Sequence, residues 1–221
     1  MSIMKQAVLN SIALTGLALC AAGCFAQEDQ GYWYAGGNFG ITTLRVNASG
    51  IDDKLRALGA TSAAATGSDD SDIGYKFFGG YRFNENVALE LGWFALGAYH
   101  TQSLVSIGAA SNTMNIEVKN NHGLNFDVVL GGPISGRISA FGRLGVIIAK
   151  SEALGSTSVA GTPINLSASE SATNIKYGFG LEYLFDKRMS VRAEAERYRI
   201  PDGIEGRANV ELYSLGLIIK F

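Results

Sequence analysis

The chain has 221 residues, 47% of them hydrophobic and only 17% charged, with a formal net charge of −2. It carries no basic block of the kind that binds nucleic acid, and beyond the N-terminal segment no apolar run reaches the ~20 residues of a membrane helix. So few charges beside so much apolar residue fit poorly with a cytosolic domain and well with a barrel whose lipid face is diluted by alternate polar positions.

Residues 1–26 read as a secretory signal peptide: Lys5, an apolar run over 7–19, then small residues leading to Cys24-Phe25-Ala26 before Gln27. A lipoprotein-type cleavage at Ala21-Ala22-Gly23-Cys24 is the other reading, with Ala where Leu is usual. Cleavage after Ala26 removes Lys5, Cys20 and Cys24, so residues 27–221 carry a net charge of −3 and no disulfide framework.

Residues 27–221 read as a single domain of period-two strands separated by alternating long and short gaps. The first strand spans 32–46, with Trp33, Ala35, Phe39 and Ile41 on one face and Asn38 and Thr42 on the other. A gap rich in Ala, Ser, Gly and Asp covers 47–72. The second strand, 73–83, puts Ile73, Tyr75, Phe77, Tyr81 and Phe83 opposite Lys76 and Arg82; a tight turn at 84–86 leads to the third, 87–99. After a polar gap over 100–115, the fourth strand (116–131) opposes Leu124, Phe126, Val128 and Leu130 to Asn125 and Asp127. A turn at 132–136 precedes the fifth (137–150), where Ile138, Ala140, Leu144, Val146 and Ile148 oppose Ser139, Phe141 and Arg143. The gap 151–172 leads to the sixth strand (173–185) and a turn at 186–188 to the seventh (189–199), followed by a last gap, 200–207. The eighth strand, 208–221, alternates Tyr213, Leu215, Leu217, Ile219 and Phe221 with Ser214, Gly216 and Lys220.

This layout predicts an all-β, eight-stranded antiparallel up-and-down transmembrane β-barrel with four longer extracellular loops and three short periplasmic turns. At roughly 2.5 Å of axial rise per residue, Trp33, Phe83, Phe185 and Phe221 share one rim. Tyr75, Trp93, Tyr177 and Tyr213 lie some 20 Å higher, with Tyr99 above them, as two aromatic girdles. A soluble barrel would have to fit all these aromatics inside.

The segments Trp33-Tyr-Ala-Gly-Gly-Asn-Phe-Gly40, Gly80-Tyr-Arg-Phe-Asn-Glu-Asn-Val-Ala-Leu-Glu-Leu-Gly92, Arg143-Leu-Gly145, Gly180-Leu-Glu-Tyr183 and Ser214-Leu-Gly216 resemble the transmembrane domain of OmpA-type proteins. The resemblance covers 31–221 apart from the outer gaps and implies a barrel-only outer-membrane protein without a peptidoglycan-binding domain. It also implies a lumenal gate between an acidic residue on the third strand and an Arg on the seventh, which fall here on Glu90 and Arg192. Ser214, Gly216, Ile219 and Phe221 resemble the assembly signal by which the barrel-assembly machinery recognises such proteins.

The inward parity collects Lys76, Arg82, Arg143, Lys176 and Arg192 against Glu90, Asp127, Glu182, Glu194 and Glu196. Five charges of each sign predict a paired network that plugs the lumen. Arg45, Lys150, Arg197 and Arg199 have outward parity near the strand tops, where they stand either as lipopolysaccharide contacts or as solvated rim charges. His100 and His122 lack a Ser two residues on, so the His-x-Ser pair of barrel lipid A deacylases is absent, and no catalytic or metal-ligand spacing appears. Asp69-Asp70-Ser71-Asp72 reads as a solvated acidic loop before a Ca²⁺ site. No cofactor is expected. The partners expected are outer-membrane lipid, lipopolysaccharide and, through the loops, host surface molecules, with the barrel itself a monomer. A plugged structural protein of the outer membrane is therefore favoured over a small channel or a lipid-modifying enzyme.

Overall fold

The computed structural model describes residues 31–45, 62–69, 71–107, 110–159, 162–201 and 207–221. Residues 1–30, with Cys20 and Cys24 and the expected signal peptide, lie outside the described residues. Ten strands follow in order: β1 (Tyr32–Arg45), β2 (Ser62–Asp69), β3 (Ser71–Arg82), β4 (Val87–Ala95), β5 (Tyr99–Ile107), β6 (Ala110–Ser135), β7 (Ile138–Val159), β8 (Thr162–Asp186), β9 (Met189–Pro201) and β10 (Arg207–Lys220).

Eight of them form the barrel wall, each antiparallel to its neighbours, in the ring β1-β3-β4-β6-β7-β8-β9-β10. The ring closes where β1 meets β10, with Tyr34 opposite Lys220 at one end and Arg45 opposite Asn209 at the other. The Phe221 N–H donates to the Trp33 carbonyl at 2.9 Å and extends this seam to the rim. A closed ring leaves no strand edge for lipid to strand unpaired, which is the condition for sheet to cross a membrane.

The period-two pattern sorts the side chains as expected. Trp33, Phe39, Phe77, Leu91, Leu144, Phe179 and Leu215 stand outward and exposed, while Asn38, Lys76, Glu90, Asp127, Arg143 and Arg192 are buried. Near the short-turn end Trp33 and Phe83 each lie 5.0 Å from Tyr81, and near the long-loop end Tyr75 lies 5.7 Å from Trp93. An exposed apolar belt on this scale requires lipid rather than water around it.

Three expectations are corrected. The gaps 47–72 and 100–115 hold strands: β2 pairs with β5, and β5 pairs with the outer part of β6 from Tyr99↔Val118 to Ile107↔Ala110. The gap 151–172 likewise belongs to β7 and β8, paired from Lys150↔Ser171 out to Val159↔Thr162. Their Ser, Thr and Ala residues carry no apolar alternation, yet the backbone still pairs, because strand hydrogen bonds are made by the main chain whatever the side chains. A bulge between Lys119 and His122, with Asn120 at φ 55°, marks where β6 leaves the barrel wall for this extension.

Tyr99, expected on the upper girdle, is instead buried at the barrel mouth. β4 stops at Ala95, and Gly97 at φ 80° turns the chain so that Leu96 and Tyr99 both face inward, with the Tyr99 hydroxyl donating to the Leu96 carbonyl at 2.5 Å. Such a φ is free of cost for glycine alone, and the break resets the parity that placed Tyr99 outside. The turn expected at 132–136 is shorter: β6 continues to Ser135 and the chain reverses at Gly136-Arg137.

Candidate functional site in the barrel lumen

Inward positions along the wall strands pass from apolar to polar and back to apolar. On β4 the sequence runs Ala88, Glu90, Gly92, Phe94; on β7, Phe141, Arg143, Gly145, Ile147; on β10, Ile218, Gly216, Ser214, Leu212. Tyr34, Phe78, Ala88, Val129, Phe141 and Ile218 pack as one cluster toward the short turns. Leu44, Phe94, Leu96, Tyr99, Ile147, Tyr198, Ile200, Val210 and Leu212 belong to a second cluster toward the long loops. An ionic layer lies between them.

Nine of the ten predicted lumenal charges meet in that layer, and the tenth, Arg82, reaches it from the short-turn mouth. Arg143 reaches Glu90 (2.8 Å), Asp127 (2.9 Å), Glu194 (2.8 Å) and Glu196 (3.4 Å). Arg192 reaches Glu90 (2.7 Å), Glu182 (3.0 Å) and Glu194 (3.2 Å), and its guanidinium sits 4.7 Å from the Phe141 ring centre. Lys76 bridges Glu194 and Glu196 at 2.8 and 2.9 Å, and Lys176 bridges Asp127 and Glu196 at 2.9 and 2.7 Å. Arg82, 3.6 Å from Glu182, is the partly exposed member at the short-turn mouth. Each carboxylate therefore has at least one cation in contact, the arrangement under which buried charge is tolerated.

Space for these side chains comes from glycines on the inward parity. A Cβ on Gly145 would lie 1.9 Å from Asp127 Oδ1, and one on Gly216 would lie 2.0 Å from Asn38 Oδ1. An eight-stranded lumen has room only for its own side chains, and here ions and glycines share it strand by strand.

Sequence reasoning missed several members. The Tyr34 hydroxyl donates to Glu90 at 2.8 Å, Ser190 donates to Glu182 at 2.7 Å, and Tyr198 donates to Glu196 at 3.1 Å. Lys220 approaches Glu182 at 3.7 Å, adding a sixth cation at the mouth. All four have inward parity, and that parity was the signal available to find them.

The remaining candidates are placed as follows. Ser214 faces inward and accepts a hydrogen bond from Asn38 Nδ2 at 3.3 Å, whereas Ile219 and Phe221 face outward and exposed. Lys150 and Arg199 are exposed; the Arg45 side chain lies outside the described residues. Arg197 is held by the Tyr177 hydroxyl at 3.1 Å and by an ion pair with Glu211. The side chains of Asp69 and Asp70 lie outside the described residues. The Asp72 carboxylate accepts the backbone N–H groups of Ile73 (2.7 Å) and Ala98 (2.6 Å), pinning the bend after β4. Among the described residues no cluster of side chains suited to a metal ion occurs.

A closed eight-stranded ring, apolar outside and ionic inside, defines a small transmembrane β-barrel. The chain belongs to the outer membrane protein beta-barrel domain family, which matches it over residues 12–221. The protein is accordingly a bacterial outer-membrane barrel, of the small kind that the OmpA-type segments implied. No curated protein matches the chain. Among solved structures it is similar to the attachment invasion locus protein Ail of Yersinia pestis in complex with the heparin analogue sucrose octasulfate, at 16% identity, covering 86% of this chain and 99% of that one with a TM-score of 0.43. It is also similar to Neisserial surface protein A (13% identity, 87% and 100% covered, TM-score 0.44) and to the N-terminal β-barrel domain of Pseudomonas aeruginosa OprF (14%, 87% and 100%, TM-score 0.38).

Proposed function

We propose that this protein is a non-enzymatic structural barrel of the outer membrane, closed to solutes, whose long-loop extension serves as a contact platform outside the cell. In this reading residues 1–26 are removed on export, residues 27–221 form the single barrel domain, and Ser214, Gly216, Ile219 and Phe221 guide assembly. The short turns face the periplasm, and the barrel acts as a monomer. One observation carries the closed lumen: the ten charges pair with one another, nine of them between two apolar clusters, so a passing ion would meet matched pairs rather than the single-sign ring of a selective pore. Mutual neutralisation also occupies each of these ten described charges with a partner of opposite sign, which disfavours an acid, base or nucleophile role for them.

Single-channel recording of the purified barrel in planar bilayers tests this. The expected outcome is brief, small openings or none; a steady conductance at porin level would overturn the closed lumen and favour a channel. For the platform, intact cells expressing the protein should bind matrix proteins or complement regulators, and shortening the 47–70 segment should abolish that binding.

A further inference from the structure

On the outer wall of β9 two alanines break an otherwise bulky surface. Ala195 lies between Phe179 of β8 and Tyr213 of β10, and Ala193 lies between Leu181 and Leu215. The result is an apolar groove of about 770 Å³, continued on its far side by Phe39 and Ile41 of β1. Two residues further along the same face of β9 stands Arg197, opposite Tyr177 and Glu211, and two further still Arg199, exposed and opposite Asn209. Tyr177 and Glu211 hold the Arg197 guanidinium, and the Tyr213 hydroxyl donates to Glu211 at 2.9 Å. Arg199 has no ion pair among the described residues.

We infer that the β8–β9–β10 face is a binding site for one phosphate-bearing lipid, with an acyl chain seated over Ala193 and Ala195 and the phosphate on Arg199, steered by Arg197. The height is right: Arg197 and Arg199 lie about eight and ten residues above the turn before β9, roughly 20–25 Å along the axis, which is the top of the apolar band. The chemistry is right as well, because a guanidinium is the preferred partner of a phosphate and the groove on the same face of β9, reaching up to Ala195 two residues before Arg197, is lined mainly by apolar groups that suit an acyl chain. Small residues on a membrane face also favour close approach of a second protein. A two-fold contact here, however, would set Arg199 of one copy against Arg199 of the next at the same height, so charge selects the anionic lipid. The inference rests on the chain being a membrane barrel and not on the closed lumen.

The test is native mass spectrometry of the barrel exchanged into mild detergent with lipid A, with phosphatase-treated lipid A, or with inorganic phosphate as competitor. Wild-type barrel should retain one lipid A, and retention should fall at least fivefold for the phosphatase-treated form and hardly change with millimolar phosphate. Ala193→Leu/Ala195→Leu should fill the groove and lower retention by a similar factor; Arg199→Gln should do so without touching the groove, and the heat-dependent gel shift reports that both variants are folded. Should the double leucine variant fail to fold, Arg199→Gln and the phosphatase arm still decide. Equal retention of both lipid forms, full retention by folded variants, displacement by free phosphate, or a dimer lost on leucine substitution would each overturn the lipid site. None of these results would alter the conductance of the lumen.

Discussion

Arg192 is the sharpest lever on the lumen. Its guanidinium contacts Glu90, Glu182 and Glu194 at 2.7–3.2 Å and lies 4.7 and 5.3 Å from the ring centres of Phe141 and Phe78, so truncation removes both charge and packing. Arg192→Ala leaves the ionic layer with five carboxylates and one cation fewer. Each partner keeps another cation: Glu90 keeps Arg143 at 2.8 Å, Glu194 keeps Lys76 at 2.8 Å, and Glu182 keeps Arg82 and Lys220 at 3.6 and 3.7 Å. Breaking a buried pair costs about 3–5 kcal/mol, and this residual pairing places Arg192→Ala near the lower end, about 3 kcal/mol. Glu182→Gln in the background of Arg192→Met removes a charge of the opposite sign, so the pair should show a favourable coupling of about 1–2 kcal/mol in a double-mutant cycle. The measurement is urea unfolding of barrels refolded into lipid vesicles, followed through Trp33 and Trp93, the chain's two tryptophans. Bilayer recordings of the same preparations should show that Arg192→Ala admits water and raises conductance. A cost below about 1 kcal/mol with unchanged conductance would show that Arg192 is not needed to neutralise the layer.

Two further outcomes follow from the wall geometry. Leu217 is an exposed lipid-face residue and Ile218 a buried one; Leu217→Arg should cost about 2–4 kcal/mol and vary with lipid chain length, whereas Ile218→Arg should be insensitive to bilayer thickness, which refolding in lipids of graded length would reveal. Gly145→Ala should cost about 1–3 kcal/mol because its Cβ would meet Asp127 Oδ1. Gly142→Ala on the lipid face, whose nearest neighbour would be 3.9 Å away, should be close to neutral in the same unfolding assay.

The barrel wall was legible because a strand has only two sides and the membrane demands opposite chemistry on each. A single parity assigned Lys76, Glu90, Asp127, Arg143 and Arg192 to the inside before any contact was known. Tyr34 and Tyr198 were harder to place, because an aromatic residue suits the lipid face as well as the lumen. Tyr99 was misplaced because a parity count survives only while the strand does, and Gly97 breaks it. The outer ribbon was invisible for a different reason: Ser62–Asp69 and Tyr99–Ile107 pair through their backbones, and their Ser- and Ala-rich sequence carries no period-two apolar pattern to read. The alanines of β9 looked like ordinary small outward residues; only the neighbouring strands, with Phe179 and Leu181 on one side and Tyr213 and Leu215 on the other, turn them into a groove.

The order of layers in the lumen bears on where such a protein can live. A bilayer is wet at both faces and oily in the middle, whereas this interior is oily toward both ends and ionic in the middle. Dissolved salt weakens attraction between charges that water can reach and has little purchase on charges it cannot. Lys76, Arg143, Lys176 and Arg192 are shut away from the surroundings, so the bonds that hold the barrel's centre keep their strength from fresh water to brine.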